Sequence, residues 1–275
     1  MLTRFAPSPT GYLHLGHVVN AIYVWGVAGR RGGQVRLRIE DHDRIRSRPE
    51  FERALLEDLD WLGFVADEGR EPLDRQSDRL DAYETALRQL ARTAHVYACS
   101  CSRKEIGGEH YAGRCRDRGL PITTATGVRV RLDPGIEHVD DLLLGPIDQD
   151  PSLQCGDLLL RDRDGHWTYQ FAVTVDDVQQ GVTTVIRGAD LLASTGRQIR
   201  LAKLLGRATP AQYLHHPLIA NARGEKLSKA ARDTGIRELR ARGVSPEDVI
   251  GRAAAAVGLV PAGTRLRAAD VRQLF

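Results

Sequence analysis

Residues 2–40 of the 275-residue chain change hydrophobic period twice. Leu2–Phe5 is a short strand candidate. Pro7, Pro9 and Gly11 then break the chain. Val18, Ile22, Trp25 and Ala28 recur near helical spacing, and Gly32-Gly33 ends that run. Val35, Leu37 and Ile39 alternate as in a strand. Strand, helix and strand in about 40 residues make a βαβ unit, and such a crossover demands parallel strands. The pattern predicts an α/β fold built on a parallel sheet.

The turn between strand and helix is RFAPSPTGYLHLGH, Arg4 to His17. A helix start presents unpaired N–H groups and the positive end of the helix dipole, so it favours anions. In an open α/β sheet that crevice lies at the carboxyl ends of the strands, where ligands bind. His14 and His17, three apart, fall on one face of the first turn. Gly16 between them lets a flat base or a ribose approach the backbone. The pattern suits a nucleotide whose phosphates meet histidines. A capped surface helix with two solvated histidines shares it.

Composition is that of a globular chain, 42% apolar and 27% charged. No apolar run approaches the roughly 18 residues of a membrane span. The N-terminus has no apolar signal region, and a cytoplasmic protein is expected. A net charge of +3 permits a nucleic-acid partner without requiring one. The chain has 35 arginines but 4 lysines, and two of those lysines, Lys226 and Lys229, sit together in EKLSKA. A chain that uses arginine almost everywhere has placed the compact ammonium here.

Further along, Ser47 and Glu50 read as a capping box for a helix to Leu62. A second helix is expected from Ser77 to Thr93, with Leu80, Tyr83, Leu87 and Leu90 on one side. GVRVRLD and GDLLLRDRDGHWTYQFAVTVDD read as strands, with Asp164-Gly165 as a hairpin turn. Helical spacing returns at 191–205, QYLHH reads as a strand, and Ser245-Pro246 starts a late helix. Cys99, Cys101 and Cys115 fall within 17 residues. In a reducing compartment that cluster points to a metal before a disulfide. Structural zinc takes four ligands, usually sulfur or imidazole, and His110 is the chemically common fourth. A set of free thiols is the alternative. Cys155 is remote and reads as a small core residue.

RFAPSPTGYLHLGH followed by GGQVRLRIEDHDRIRS resembles the N-terminal signature of class I glutamyl-tRNA synthetases, with HLGH as the HIGH-type motif. EKLSKA resembles their KMSKS-type loop, with Leu227 in place of methionine and Ala230 in place of the last serine. RGADLLASTGRQ resembles the family as well. The resemblance implies a Rossmann-type catalytic domain (1–94 and 185–240), a zinc-stapled α+β insertion (95–184) and a short helical C-terminal segment (241–275). It implies adenylate formation from ATP, supplied with Mg2+, with His14, His17, Lys226 and Lys229 in catalysis and His14, Gly16, His17 and Lys229 on ATP. The glutamate site maps onto Arg4, Phe5, Ala6, Pro7, Ser8, Glu40, Tyr169 and Arg187. Glu40 would hold the ammonium, Arg4 and Arg187 the two carboxylates, and Tyr169 would add a hydroxyl. For one structural Zn2+ the resemblance nominates Tyr111 beside Cys99, Cys101 and Cys115.

Only 46 residues follow Lys229, too few for a large helical anticodon-binding region. The chain is therefore more similar to the glutamyl-Q tRNA(Asp) synthetase family. That family activates glutamate without tRNA and transfers it to the queuosine base in the anticodon loop of tRNA(Asp). A departure is Gly196, where the family has proline; its effect is expected at a helix start only. A monomer without membrane partners is expected. A minimal glutamyl-tRNA synthetase charging a 3′ end, a ligase acting on a small molecule, and a non-catalytic tRNA-binding paralogue are the rival expectations.

Overall fold

A computed structural model of the chain describes residues 1–219 and 235–275. The first part runs β1 (Leu2–Phe5), α1 (Leu15–Arg30), β2 (Gln34–Leu37), α2 (Pro49–Leu62), α3 (Leu80–Thr93), β3 (Val96–Cys99) and α4 (Arg103–Ile106). There follow β4 (Gly127–Val130), β5 (Glu137–Asp141), β6 (Gly145–Gln149), α5 (Pro151–Gln154), β7 (Leu158–Arg161) and α6 (Tyr169–Gln179). The last are β8 (Thr184–Gly188), α7 (Thr195–Leu204), β9 (Gln212–His216), α8 (Ile236–Ala241) and α9 (Pro246–Ala256). Among the described residues no helix is long and apolar enough to cross a membrane.

Two compact units form. The first comprises residues 1–76, 184–190 and 214–275. Here β1 and β2 pair in parallel, Leu2 opposite Gln34 through Phe5 opposite Leu37, as the βαβ pattern predicts. α1 buries Val18, Val19, Ile22, Val24 and Val27. It packs on β1, β2 and β8 and also on α9 and the 3₁₀ turn Ala268–Leu274. α2 departs from the expected start. Its N-cap is Arg48, without a side-chain cap, and Pro49 opens the helix. Proline suits that position because its missing N–H has no helical partner there. Ser47 is thereby left one residue short of the cap, and its Oγ is buried without a hydrogen bond among the described residues.

The second unit comprises residues 77–183 and 191–213. β3, β4 and β7 form an antiparallel sheet in the order β3-β4-β7. Tyr83, Leu90, Val128, Val130, Leu160, Phe171 and Leu201 share one core over it. Asp164-Gly165 does form a turn, closed by the Asp162 N–H on the His166 carbonyl at 2.9 Å. The segment after it is a correction: residues 169–179 form helix α6, not a strand. Phe171 through Asp177 are all buried. A helix with so narrow a wet face shows no 3.6-residue alternation, and Val173-Thr174-Val175 reads as strand by propensity until tertiary packing overrides it. Gly196 lies in the first turn of α7, and its N–H donates to Gln149 Oε1 at 2.7 Å, a bond no proline could make.

Candidate active site

The two motif histidines build the start of α1 themselves. His14 is the N-cap, and its Nδ1 accepts the Gly16 N–H at 3.1 Å. His17 Nδ1 accepts the His14 N–H, also at 3.1 Å. The rings lie 4.0 Å apart between centroids. This is a reciprocal box in which imidazoles take the places of serine and glutamate. Each Nδ1 lone pair is engaged by a backbone donor, so in the neutral rings the proton sits on Nε2. In that tautomer each ring carries its Nε2–H at the positive end of the helix dipole. Gly16 is required for this packing, since a Cβ there would fall 2.9 Å from the His14 ring. Gly235 forms an antiparallel bridge with His14, and the Ile236 N–H donates to the Leu13 carbonyl. Lys226 and Lys229 lie outside the described residues.

The same unit places Arg4, Phe5, Ala6, Pro7, Ser8, Glu40 and Arg187. Arg4, on β1, is 4% exposed, as is Arg187 on the neighbouring β8. Arg4 Nη1 donates to the Ile186 carbonyl at 3.3 Å, beside Arg187 in sequence. Glu40 is equally buried and pairs with the fully buried Arg38, Nη2 to Oε1 at 2.9 Å. Main-chain bonds stitch this strip to the turn: the Arg38 N–H to the Phe5 carbonyl and the Glu40 N–H to the Pro7 carbonyl, both 3.0 Å. Ser8 is exposed, and its carbonyl accepts the Thr10 N–H. Tyr169 belongs to the second unit, where it opens α6. Two residues that the sequence reading passed over, Arg38 and His215, touch the candidate residues. Arg187 Nε donates to His215 Nε2 at 3.3 Å.

The cysteine cluster lies in the second unit. Cys99, Cys101 and Cys115 hold their three sulfurs within 4.8 Å of one another. The Tyr111 hydroxyl is 3.3 Å from Cys99 Sγ and 3.7 Å from Cys101 Sγ. His110 is exposed, and its Nε2 lies 3.2 Å from the Ser152 carbonyl. Zinc with bonds of about 2.3 Å sets tetrahedral sulfurs about 3.8 Å apart. Cys101 and Cys115 are 3.6 Å apart, close to that spacing, and with Cys99 within 4.8 Å the three thiols could hold a metal ion. Burial opposes the Cys115 thiolate, but hydrogen bonds from Tyr111 and the Ser100 backbone outweigh it and bring the thiol down to about 6. Burial pushes the Tyr111 phenol up, and its bonds to Cys115 and Cys99 add to that. Negative charge is thus favoured on Cys115, while burial pushes the Cys101 thiol up; a bound cation would be what draws the phenol toward ionisation. The loop is anchored independently of metal. Arg116 grips Asp157 through two 2.9 Å bonds, and Gly156 (φ 64°) runs against the Tyr111 backbone, where a Cβ would lie 2.0 Å from the carbonyl oxygen.

Residues 1–118 and 117–265 match the family model described as tRNA synthetases class I (E and Q), catalytic domain. The chain is 40% identical to a glutamyl-Q tRNA(Asp) synthetase of Nitratidesulfovibrio vulgaris, over 94% of this chain and 86% of that one. It is 39% identical to a glutamate–tRNA ligase 2 of Cereibacter sphaeroides, over 89% of this chain but 58% of that protein. Among solved structures, a glutamate tRNA ligase from Elizabethkingia meningosepticum, in complex with its amino acid, superposes with a TM-score of 0.85 at 28% identity. That match covers all of this chain and 64% of the solved one, so the chain spans less than two thirds of it. The chain belongs to the class I aminoacyl-tRNA synthetases of the glutamate and glutamine branch and, within them, to the glutamyl-Q tRNA(Asp) synthetase family. It is a ligase.

Proposed function

We propose that the protein activates glutamate with ATP, without tRNA, and transfers it to the queuosine base in the anticodon loop of tRNA(Asp). The observation that carries the glutamate assignment is the charge set buried in one unit: Arg4, Arg187 and Glu40, each 4% exposed. Glutamate brings two carboxylates and one ammonium. Guanidinium forks suit the former and a carboxylate the latter.

In the first step an α-carboxylate oxygen of glutamate attacks the α-phosphorus of ATP. The bond to pyrophosphate breaks, and pyrophosphate leaves with its Mg2+. Catalysis of this kind is positioning plus stabilisation of phosphate charge. The Nε2–H groups of His14 and His17 serve from the helix start. Lys229, with Lys226, adds positive charge for the phosphate oxygens, and in sequence Lys229 stands six residues before Gly235, the bridge partner of His14. In the second step a cyclopentene hydroxyl of queuosine attacks the glutamyl carbonyl. An ester forms, and AMP leaves carrying the hydroxyl proton. An anticodon loop is a place where a base can be splayed out for such attack. Cys99, Cys101, Cys115 and Tyr111 would hold a structural zinc that stiffens its loop and takes no part in either step.

A second reading, charging of a tRNA 3′ end, is favoured by the 39% identity to the glutamate–tRNA ligase 2. One experiment separates them. Pyrophosphate exchange is measured with ATP and glutamate alone, and labelled glutamate is then offered to tRNA(Asp) with and without queuosine and to tRNA(Glu). Exchange without tRNA and label on queuosine-bearing tRNA(Asp) alone are expected. Label on the 3′ end of tRNA(Glu) establishes the second reading instead.

A further inference from the structure

Arg187 is one of two buried guanidiniums in the candidate glutamate pocket, and a buried guanidinium on a long side chain has several orientations open to it. We infer that His215 helps to select one of them, acting as a positioning residue for glutamate binding through Arg187. The inference rests on the proposed glutamate pocket.

The geometry is specific. His215 lies on β9 and is 0% exposed. Its Nε2 faces Arg187 Nε at 3.3 Å in a buried contact between residues 28 apart. A guanidinium is always protonated and offers no lone pair. The imidazole must therefore accept at Nε2, which places its own proton on Nδ1 and leaves the ring neutral. The bond is made to Nε, not to the end of the fork. It fixes rotation about the Cδ–Nε bond and so the plane of the whole guanidinium. It also takes up the Nε edge. A guanidinium held in one plane presents its remaining N–H groups to a carboxylate in one fixed geometry.

The adjacent histidine does something different. His216 stacks on Tyr23, with ring centroids 5.0 Å apart and planes 20° apart, and its Nε2 meets Asn20 Nδ2 at 3.1 Å. Those contacts tie β9 to α1. Of the two neighbours, His216 packs and His215 addresses a guanidinium.

The test uses the full-length protein and three substitutions. His215→Gln keeps an acceptor oxygen at the reach of Nε2. His215→Asn is polar but too short, and His215→Leu removes the acceptor. Glutamate and ATP dissociation constants are measured by titration calorimetry, beside melting temperature, with Arg187→Gln as the reference for the pocket. His215→Asn and His215→Leu are expected to weaken glutamate about tenfold, the size of one bond to a charged group, and to leave ATP within about twofold. His215→Gln is expected to regain most of that loss. Should His215→Leu fail to fold, the Gln and Asn pair carries the comparison. Glutamate affinity that is unmoved in Asn while lost in Arg187→Gln overturns the positioning role and spares the pocket. So does a Gln variant as weak as Asn, or a parallel loss for ATP, since either marks a packing effect. Unchanged glutamate affinity in Arg187→Gln overturns the pocket reading and this inference with it.

Discussion

His14 and His17 each do two jobs with one ring. Nδ1 accepts a backbone N–H at the start of α1, and in the proposed reaction Nε2–H is the donor to phosphate oxygen. The jobs can be separated. His14→Ala loses both, and is expected to lower stability by about 1 kcal/mol through the missing cap. It is also expected to slow pyrophosphate exchange by about a hundredfold, as loss of one donor to a charged transition state does. Asparagine is a good N-cap. His14→Asn is therefore expected to melt like the native protein while exchange stays down. Recovery of exchange together with the melt would reduce the histidine to a cap. At this scale the sequence showed where the histidines sit but not that they cap, because capping preferences name serine, threonine, asparagine and aspartate. The Arg4 contact with Ile186 joins residues 182 apart, and no local pattern carries such information.

At the scale of elements, α2 carries a buried liability. Asp58 is 2% exposed, and its Oδ2 has no hydrogen-bond partner among the described residues. Burial raises its pKa from 3.8 to about 6, although Arg237 and Arg240 on α8 pull the other way. A carboxyl raised in the folded state supports folding below its unfolded value and loses that support as pH rises through the folded one. Native stability is thus diminished at neutral pH by up to about 3 kcal/mol. Asp58→Asn is expected to raise the denaturation midpoint at about pH 8 and to give no gain near about pH 4; an equal gain at both values would remove ionisation from the account. The cysteine loop makes the complementary case. Cys99→Ser is expected to abolish bound zinc and lower the melting temperature. Full metal content with an unaltered melt would refute the site. Amphipathic elements such as α1 and α3 were legible from their spacing. α6 was not, because a helix buried from Phe171 to Asp177 has almost no polar face to reveal its period.

For the molecule as a whole, the opening βαβ pattern was enough to predict the parallel α/β class, because only a crossover satisfies it. The chain returns to the first unit at residue 184; the family resemblance implied a second catalytic segment from 185, whereas no local pattern in Thr184–Gly188 marks such a return. That return is what supplies Arg187 to the unit that holds Arg4 and Glu40. It also divides the proposed reaction into parts with different physics. Glutamate activation relies on short contacts among buried groups, which salt screens little. Transfer to an anticodon loop requires RNA phosphates to meet a surface of a chain with 35 arginines and a net charge of +3. Each phosphate neutralised contributes a slope of about 0.7–0.9 in log affinity against log salt. Two such contacts weaken binding about tenfold over a fourfold rise in salt. Between about 50 and 200 mM salt, the KM for queuosine-bearing tRNA(Asp) is therefore expected to rise at least about tenfold, while pyrophosphate exchange changes by less than about twofold. A tRNA KM that is flat across that range would mean that the RNA is not held through its backbone. An exchange rate that falls as steeply as transfer would mean that activation itself depends on exposed charge, and would place the working carboxylate contacts outside the buried Arg4, Glu40 and Arg187 set.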